Sequence, residues 1–472
     1  MAKTIRVWRS LMFRLQTEED AQAPSQRAEF LLSYIIAAVM TIIAITTKSF
    51  WGDEILSIQF ASQSISSLFE SLSRDYHPPF YFLLLKAWIS AFGTSEIGLR
   101  VFQGIQGGTL LFLTFLLCKK FIPHSSYKLF WLLVLFSSEL WLFMPMLRYY
   151  ALAAIIVIFS TLSFEKWVKQ QDIRTSGLLL LSYVLVVYTD YPSSIVIVFH
   201  LLYVTITHRS LILKLLLVDI VTAVAFLPWL IITLSQIEHL TSTTQIADLN
   251  ASPKALLLKT TYCLYAFVFG ETVFPFEIPL ILAGVCIATV LLLSIKGNDW
   301  KIIAHNYYAP GLLILGILFT SIITTFISKH TSFIYTPSRT LFALPFIIIF
   351  FGIFLIKAKP ILKYGFVFIY LMINVYGLAN WANNRHFLMP VYATPWKEVI
   401  SDLQGEQGII LVDESLCYEY YQLQIDEDVP ELVKPASRDE LQHIIAAKQQ
   451  SSPSFFLFLI LIGRESTEPE VP

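Results

Sequence analysis

Runs of about twenty mostly apolar residues recur along the whole chain, the length an α-helix needs to cross the hydrocarbon of a bilayer. They fall near 29–48, 97–117, 128–146, 148–165, 175–190, 191–207, 213–234, 276–295, 303–327, 338–356 and 361–381. Of the 472 residues 56% are apolar and 14% charged, against about 25% charged in a soluble domain. Backbone groups inside a bilayer must be satisfied within their own segment, so the expected architecture is an all-α polytopic membrane protein with about 11 transmembrane helices. A net charge of −1 says nothing about nucleic acid, and no basic domain suggests it, so no nucleic-acid partner is expected. Cys118, Cys263, Cys286 and Cys417 lack metal-ligand spacing and imply neither a disulfide framework nor a zinc site. No P-loop, nucleotide-binding glycine motif or HExxH is present. Residues 1–28 are polar and basic, too long and mixed for a cleavable signal, so the first run is expected to stay as an anchor behind a cytoplasmic tail.

One further apolar stretch, "PPFYFLLLKAWISAFG" at 78–93, decides the parity of everything after it. It is short, opens on Pro-Pro and contains Lys86. With it left out, the loops 118–128, 165–174, 208–214, 296–301 and 357–363 all share the side of the N-terminal tail, and every one is basic. Lys and Arg collect in short cytoplasmic loops. Residues 78–93 therefore read as an amphipathic helix in the outer interface. The outer side then receives a first loop at 49–96, a second at 235–275, a short one at 328–337, and a small α/β domain from 382 to 472, in a cell (inner) membrane protein. In that domain "TPWKEVISDLQ" opens a helix with Thr394 as N-cap and Pro395 at the first helical position. "GIILVDE" and "SFFLFLILI" read as strands, and "SRDELQHIIAAKQQ" as an amphipathic helix between them.

Ionisable residues at membrane depth are costly and usually functional. Here they gather on one face. Asp53 and Glu54 follow the first run; "SRDYHPPF" brings Arg74, Asp75, Tyr76 and His77; Arg100 opens the second run. "MLRYYAL" sets Arg148 and Tyr150 in a tight turn, "YTDY" sets Asp190 and Tyr191 in another, and "SKHTSFIYTPSR" brings Lys329, His330, Tyr335 and Arg339. Each has a plainer reading: an acidic pair as a solvated helix end, Asp190 as a cap, Arg100, Lys329 and Arg339 as interface anchors. Their shared face favours chemistry. Outside the cell no nucleotide sugar is available, so group transfer there needs a donor that arrives through the membrane, such as a polyprenyl-phosphate-linked sugar. Its phosphate asks for Arg or Lys, its chain for an apolar groove, and the acceptor hydroxyl for a carboxylate base.

The order of these motifs resembles the GT-C integral-membrane glycosyltransferases, in the branch of protein O-mannosyltransferases and lipid A aminoarabinose transferases. The matching pieces are "WGDE", "HPPFYFLLLKAW…FGTSEIGLR", "LRYYAL", "YTDY", "LPWL" and "SRTLFALP", spread through most of 29–350. "NNRHFLMPVYATPWKEVISDL" is similar to the entrance of the small outer domain of many bacterial members. The resemblance implies a GT-C catalytic domain over 29–381, a polyprenyl-phosphate-sugar donor, a glycan, lipid or protein acceptor, and inversion. It implies Asp53 as base with Glu54 orienting it or binding acceptor, and Arg148, Arg339 and Lys329 at the donor phosphate. Arg74, His77, Tyr150, Asp190, Tyr191 and Tyr335 are the expected substrate and loop residues. Met146 and Asp190 depart from the family pattern, where an acid and a histidine are common. Some relatives use a divalent cation and others none, so no metal is assigned. The alternative reading is a transporter or flippase of lipid-linked sugars, which calls for mid-membrane charges and internal repeats; neither is evident in the sequence.

Overall fold

The computed structural model describes residues 26–75, 77–122, 126–243, 262, 264–274, 281, 284, 286–287, 337–405, 408–412, 415–425, 429–434 and 456–460. The expected spans at 276–295 and 303–327, and the expected helix at 437–450, lie wholly or almost wholly outside these residues. Five described helices are long and apolar enough to cross a membrane: Gln26–Thr47, Glu96–Lys120, Tyr150–Gln170, Arg209–Leu234 and Pro360–Ala382.

The first helix, α1 (Gln26–Thr47), shows how lipid shapes the bundle. Ser33, Ala37, Met40, Thr41 and Ala44 repeat at helical spacing and are buried, while Leu31, Ile35 and Ile42 face outward. Small residues inward and large apolar ones outward is the pattern of a helix packed in a bilayer. A short linker leads to α2 (Gly52–Ser62), α3 (Ile65–Arg74) and α4 (Phe80–Phe92). Next, α5 (Glu96–Phe121) lies tightly along α1. A Cβ on Gly104 would come within 2.3 Å of Thr41 Oγ1, and one on Gly108 within 2.6 Å of the Tyr34 ring, so these two glycines set the close approach. Helix α4 has 13 residues, about 20 Å of rise, too short to span. Its Lys86 Nζ donates to the carbonyls of Ala61 and Gln63, capping the end of α2.

The run expected as one span at 128–146 is instead two helices, α6 (Tyr127–Leu135) and α7 (Ser138–Phe143). At the break, Ser138 N and Oγ both donate to Asn374 Oδ1 (3.0 and 2.9 Å), so a neighbouring helix takes up the backbone group that the interruption frees. After the 144–149 turn come α8 (Tyr150–Gln170), α9 (Ile173–Thr189), a 3-10 turn at Pro192–Ser194, α10 (Ile195–Thr207) and α11 (Ile212–Thr243). Later, a 3-10 helix Ser338–Ala343 runs into α12 (Leu344–Lys357), followed by α13 (Pro360–Ala382).

Beyond α13 the chain changes character, as expected for an α/β segment. Helix α14 (Trp396–Asp402) starts one residue later than the sequence suggests, with Pro395 rather than Thr394 at the N-cap. Strands β1 (Gly408–Val412), β2 (Glu431–Leu432) and β3 (Phe456–Ile460) form a parallel sheet in the order β2-β1-β3. Helix α15 (Ser415–Ile425), between β1 and β2, packs on α2.

Candidate active site

Helix α2 starts immediately after Trp51, so Asp53 and Glu54 occupy its first turn, where carboxylates complement the helix dipole. Successive helical residues point about 100° apart. That separates the pair. The Glu54 side chain is 2% exposed and the Asp53 side chain 35%. Glu54 Oε1 accepts from Arg100 Nη1 at 2.7 Å and from the Leu147 amide at 2.6 Å, and its Oε2 from the Trp51 amide at 3.2 Å. Burial pushes its carboxyl up, and Arg100 with the two amides acts against that. Arg100 also donates to the carbonyls of Pro145 (2.9 Å) and Ser49 (3.2 Å) and lies over the Phe50 ring at 4.3 Å. Of the two expected places of Glu54, its burial speaks against contact with acceptor: it is sealed inside, tying α2 to α5 and to the turn that carries Arg148.

Asp53 faces the other way. Arg148, at 2% side-chain exposure, reaches its Oδ2 at 3.4 Å. Arg148 Nη1 also donates to the Asp53 carbonyl and to Ser57 Oγ, both at 3.0 Å, and Nη2 donates to His77 Nε2 at 3.1 Å. Because arginine only donates, His77 Nε2 must be the acceptor, which leaves Nδ1–H to donate to Asp75 Oδ2 at 3.0 Å. Burial lowers the His77 pKa, against Asp75, in keeping with this neutral tautomer. Gln103 Nε2 donates to the Arg148 carbonyl at 3.2 Å. The arginine is thus locked from four sides behind the carboxylate.

Arg339, half-buried at the head of its 3-10 helix, is within electrostatic reach of Tyr149, Tyr150, Arg148 and Asp190. Asp190 ends α9 and accepts from the Ser193 amide at 2.9 Å, capping the turn that follows. Burial pushes its pKa up to about 7, against Ser193 and Arg339. Tyr191 OH is paired with Thr233 Oγ1 and accepts from Trp229 Nε1, each at 2.9 Å. Trp229 lines a cavity of about 520 Å³ walled by Phe69, Pro79, Phe80, Leu83 and Tyr188, apolar almost throughout. The structure therefore brings Asp53, Arg148, His77, Tyr150, Arg339, Asp190 and Tyr191 to one end of the bundle. Arg74 is not among them: its side chain is 74% exposed and paired with Glu70 at 2.8 Å along α3. Lys329 and Tyr335 lie outside the described residues.

Three features at this end are additions to the sequence reading. Ser57, one turn after Asp53, had no signal at all. Glu139 and Glu271 form a second buried carboxylate pair, with the Glu271 carboxyl pushed up by burial. Glu139 stood inside an apparent span, where any carboxylate is a flag; Glu271 looked like an ordinary loop residue. Among the described residues no cluster of three or more His, Cys, Asp or Glu is arranged to hold a metal ion.

Two solved structures share this architecture. The crystal structure of ArnT from Cupriavidus metallidurans in the apo state superposes with a TM-score of 0.55 at 12% identity, covering 90% of this chain and 89% of ArnT. The fold is that of ArnT. The form of ArnT bound to undecaprenyl phosphate gives a TM-score of 0.52 at 12% identity, over 91% of this chain and 89% of ArnT. By sequence no family model and no curated protein matches the chain. The likeness covers nine-tenths of the chain and bears out the polytopic helical fold expected from the sequence.

Proposed function

We propose that this protein is a membrane glycosyltransferase that moves a sugar from a polyprenyl-phosphate donor to an acceptor hydroxyl. The observation that carries the reading is one solvent-reachable carboxylate, Asp53, braced by a buried arginine at the same end of the bundle as Arg339 and an apolar cavity. Its support from the fold is that one ArnT structure is bound to undecaprenyl phosphate. Asp53 takes the proton of the acceptor hydroxyl as the oxygen attacks the anomeric carbon. The bond to phosphate breaks on the opposite face, so configuration inverts. Arg339 meets the negative charge that builds on the leaving phosphate, an interaction stronger in the transition state than in the ground state. Arg148, whose two Nη atoms are taken by Asp53, Ser57 and His77, holds the base in place rather than reaching the phosphate. The prenyl chain lies in the cavity beside Tyr188 and Trp229.

The distribution of charge supports an extracytoplasmic site. Helices α5 and α8 start beside the site and end far from it, at Lys119, Lys120 and Lys169. Lys and Arg favour the cytoplasm, which supports an extracytoplasmic side for Asp53. Undecaprenyl phosphate itself tests the phosphate site. A ligand at 100 times its Kd stabilises a protein by about 2.7 kcal/mol, so it raises the Tm of the purified wild type. Arg339→Ala is expected to lose that rise, while Asp53→Asn keeps it. An equal rise in Arg339→Ala removes Arg339 from the donor site.

A further inference from the structure

The last residues of a helix leave carbonyls without intrahelical partners, and at an exposed end water or a cap must take them. At the end of α1 they are taken by a segment more than 300 positions away. The Thr47 carbonyl accepts from Asn384 Nδ2 at 2.9 Å, and the carbonyls of Ile45 and Lys48 accept from Lys397 Nζ at 3.1 and 3.0 Å. The same ammonium is 2.8 Å from Glu96 Oε1. Lys48 Nζ donates back to the Trp381 carbonyl and to Asn384 Oδ1. The Lys397 amide donates to Ser49 Oγ at 3.1 Å, and the Phe50 amide to Tyr421 OH at 2.6 Å. Trp51 meets the Tyr392 ring at 4.9 Å. Each residue from Thr47 to Trp51 is thus held by a residue from 381–421. These are the residues that join the first span to the first turn of α2, where Asp53 sits.

We infer that the C-terminal α/β segment is a positioning element for Asp53, with Lys397 and Tyr421 as its two positioning residues. Neither touches the Asp53 carboxylate. They act through the linker: Lys397 fixes where α1 stops, and Tyr421 fixes the Phe50 amide three residues before the base. Displacing a reacting group by about 1 Å can cost on the order of 100-fold in rate without changing what binds. The α/β segment therefore governs turnover and leaves donor recognition, which belongs to Arg339 and the cavity, untouched. It also accounts for a linker that needs no rigid sequence of its own: "KSFW" contains neither proline nor glycine, and its order is imposed from outside.

The effect on turnover rests on the glycosyltransferase reading; the ordering of the linker does not, and the test separates the two. Tyr421→Phe removes one oxygen, Lys397→Met removes one charge at similar length, and Lys397→Arg keeps the charge. Amide hydrogen exchange of the purified full chain is expected to speed by about tenfold or more across 49–57 in Tyr421→Phe and Lys397→Met, reaching beyond the Phe50 amide to the first turn of α2. Sugar transfer is expected to fall about tenfold in kcat with donor KM within twofold, and Lys397→Arg to recover most of it. Exchange confined to the Phe50 amide, or faster exchange with an unchanged kcat, overturns the inference. A raised donor KM with unchanged kcat overturns it as well. If the wild type transfers no sugar while the 49–57 exchange behaves as stated, the activity assignment fails and the ordering of the linker stands. Should Lys397→Met not fold, the Tyr421→Phe exchange and kcat decide alone.

Discussion

Asp53→Asn is expected to cut sugar transfer by about 10²–10⁴-fold, the usual share of a general base, in a protein that still folds. Asparagine keeps the size of the side chain and the backbone carbonyl that accepts from Arg148. Ser57 and His77 remain as partners of the guanidinium, so the stability lost is about 1.5–3 kcal/mol, the range of one hydrogen bond to a charged group. Activity and Tm measured on one purified preparation separate the two effects. A variant within threefold of wild-type activity removes Asp53 from the mechanism.

Glu54→Gln should do the reverse. Its carboxylate is buried with Arg100 at 2.7 Å and accepts from two backbone amides. Neutralising it leaves a buried guanidinium without its counter-charge, and breaking such a pair from one side costs about 3–5 kcal/mol. The expected result is a large fall in thermal stability, with any activity loss following the fraction folded. Removing both charges costs less than removing one, so Glu54→Gln with Arg100→Met is expected to be more stable than Glu54→Gln alone. Additive losses in the double-mutant cycle would show that the two side chains are not coupled. The contrast between neighbouring carboxylates, one lost in rate and one in stability, is a direct consequence of their 100° separation on α2.

That separation also marks where the sequence ceases to be informative. Most of the described spans, the short helix at 80–92, two of the three described strands of the tail and the gathering of charge at one end could be read from apolar run length and Lys/Arg placement. The division between Asp53 and Glu54 could not, because it depends on α2 starting at Gly52 and on Arg100 arriving from another helix. Arg148 looked like a phosphate ligand because cations at a membrane edge suit phosphate; its engagement with Asp53, Ser57 and His77 is a tertiary fact. Arg74 shared the right loop, yet it sits on the exposed side of α3 with Glu70. The break between α6 and α7 is invisible to hydropathy, since the residue that stabilises it, Asn374, is 236 positions away. The same holds for the capping of α1 by Asn384 and Lys397. Local pattern fixes which segments are helices; long-range polar contacts decide what the charged residues at their ends do.

The most direct test follows the prenyl lipid itself. The wild-type protein and Asp53→Asn are reconstituted in vesicles with a polyprenyl-phosphate sugar and cell-envelope acceptor, and the lipids are read by mass spectrometry. The expected result is release of one polyprenyl phosphate per sugar transferred, by the wild type alone, with the product inverted at the anomeric carbon. Donor that crosses the bilayer with its glycosyl bond intact, equally in both proteins, would contradict the account and make the protein a transporter of lipid-linked sugars.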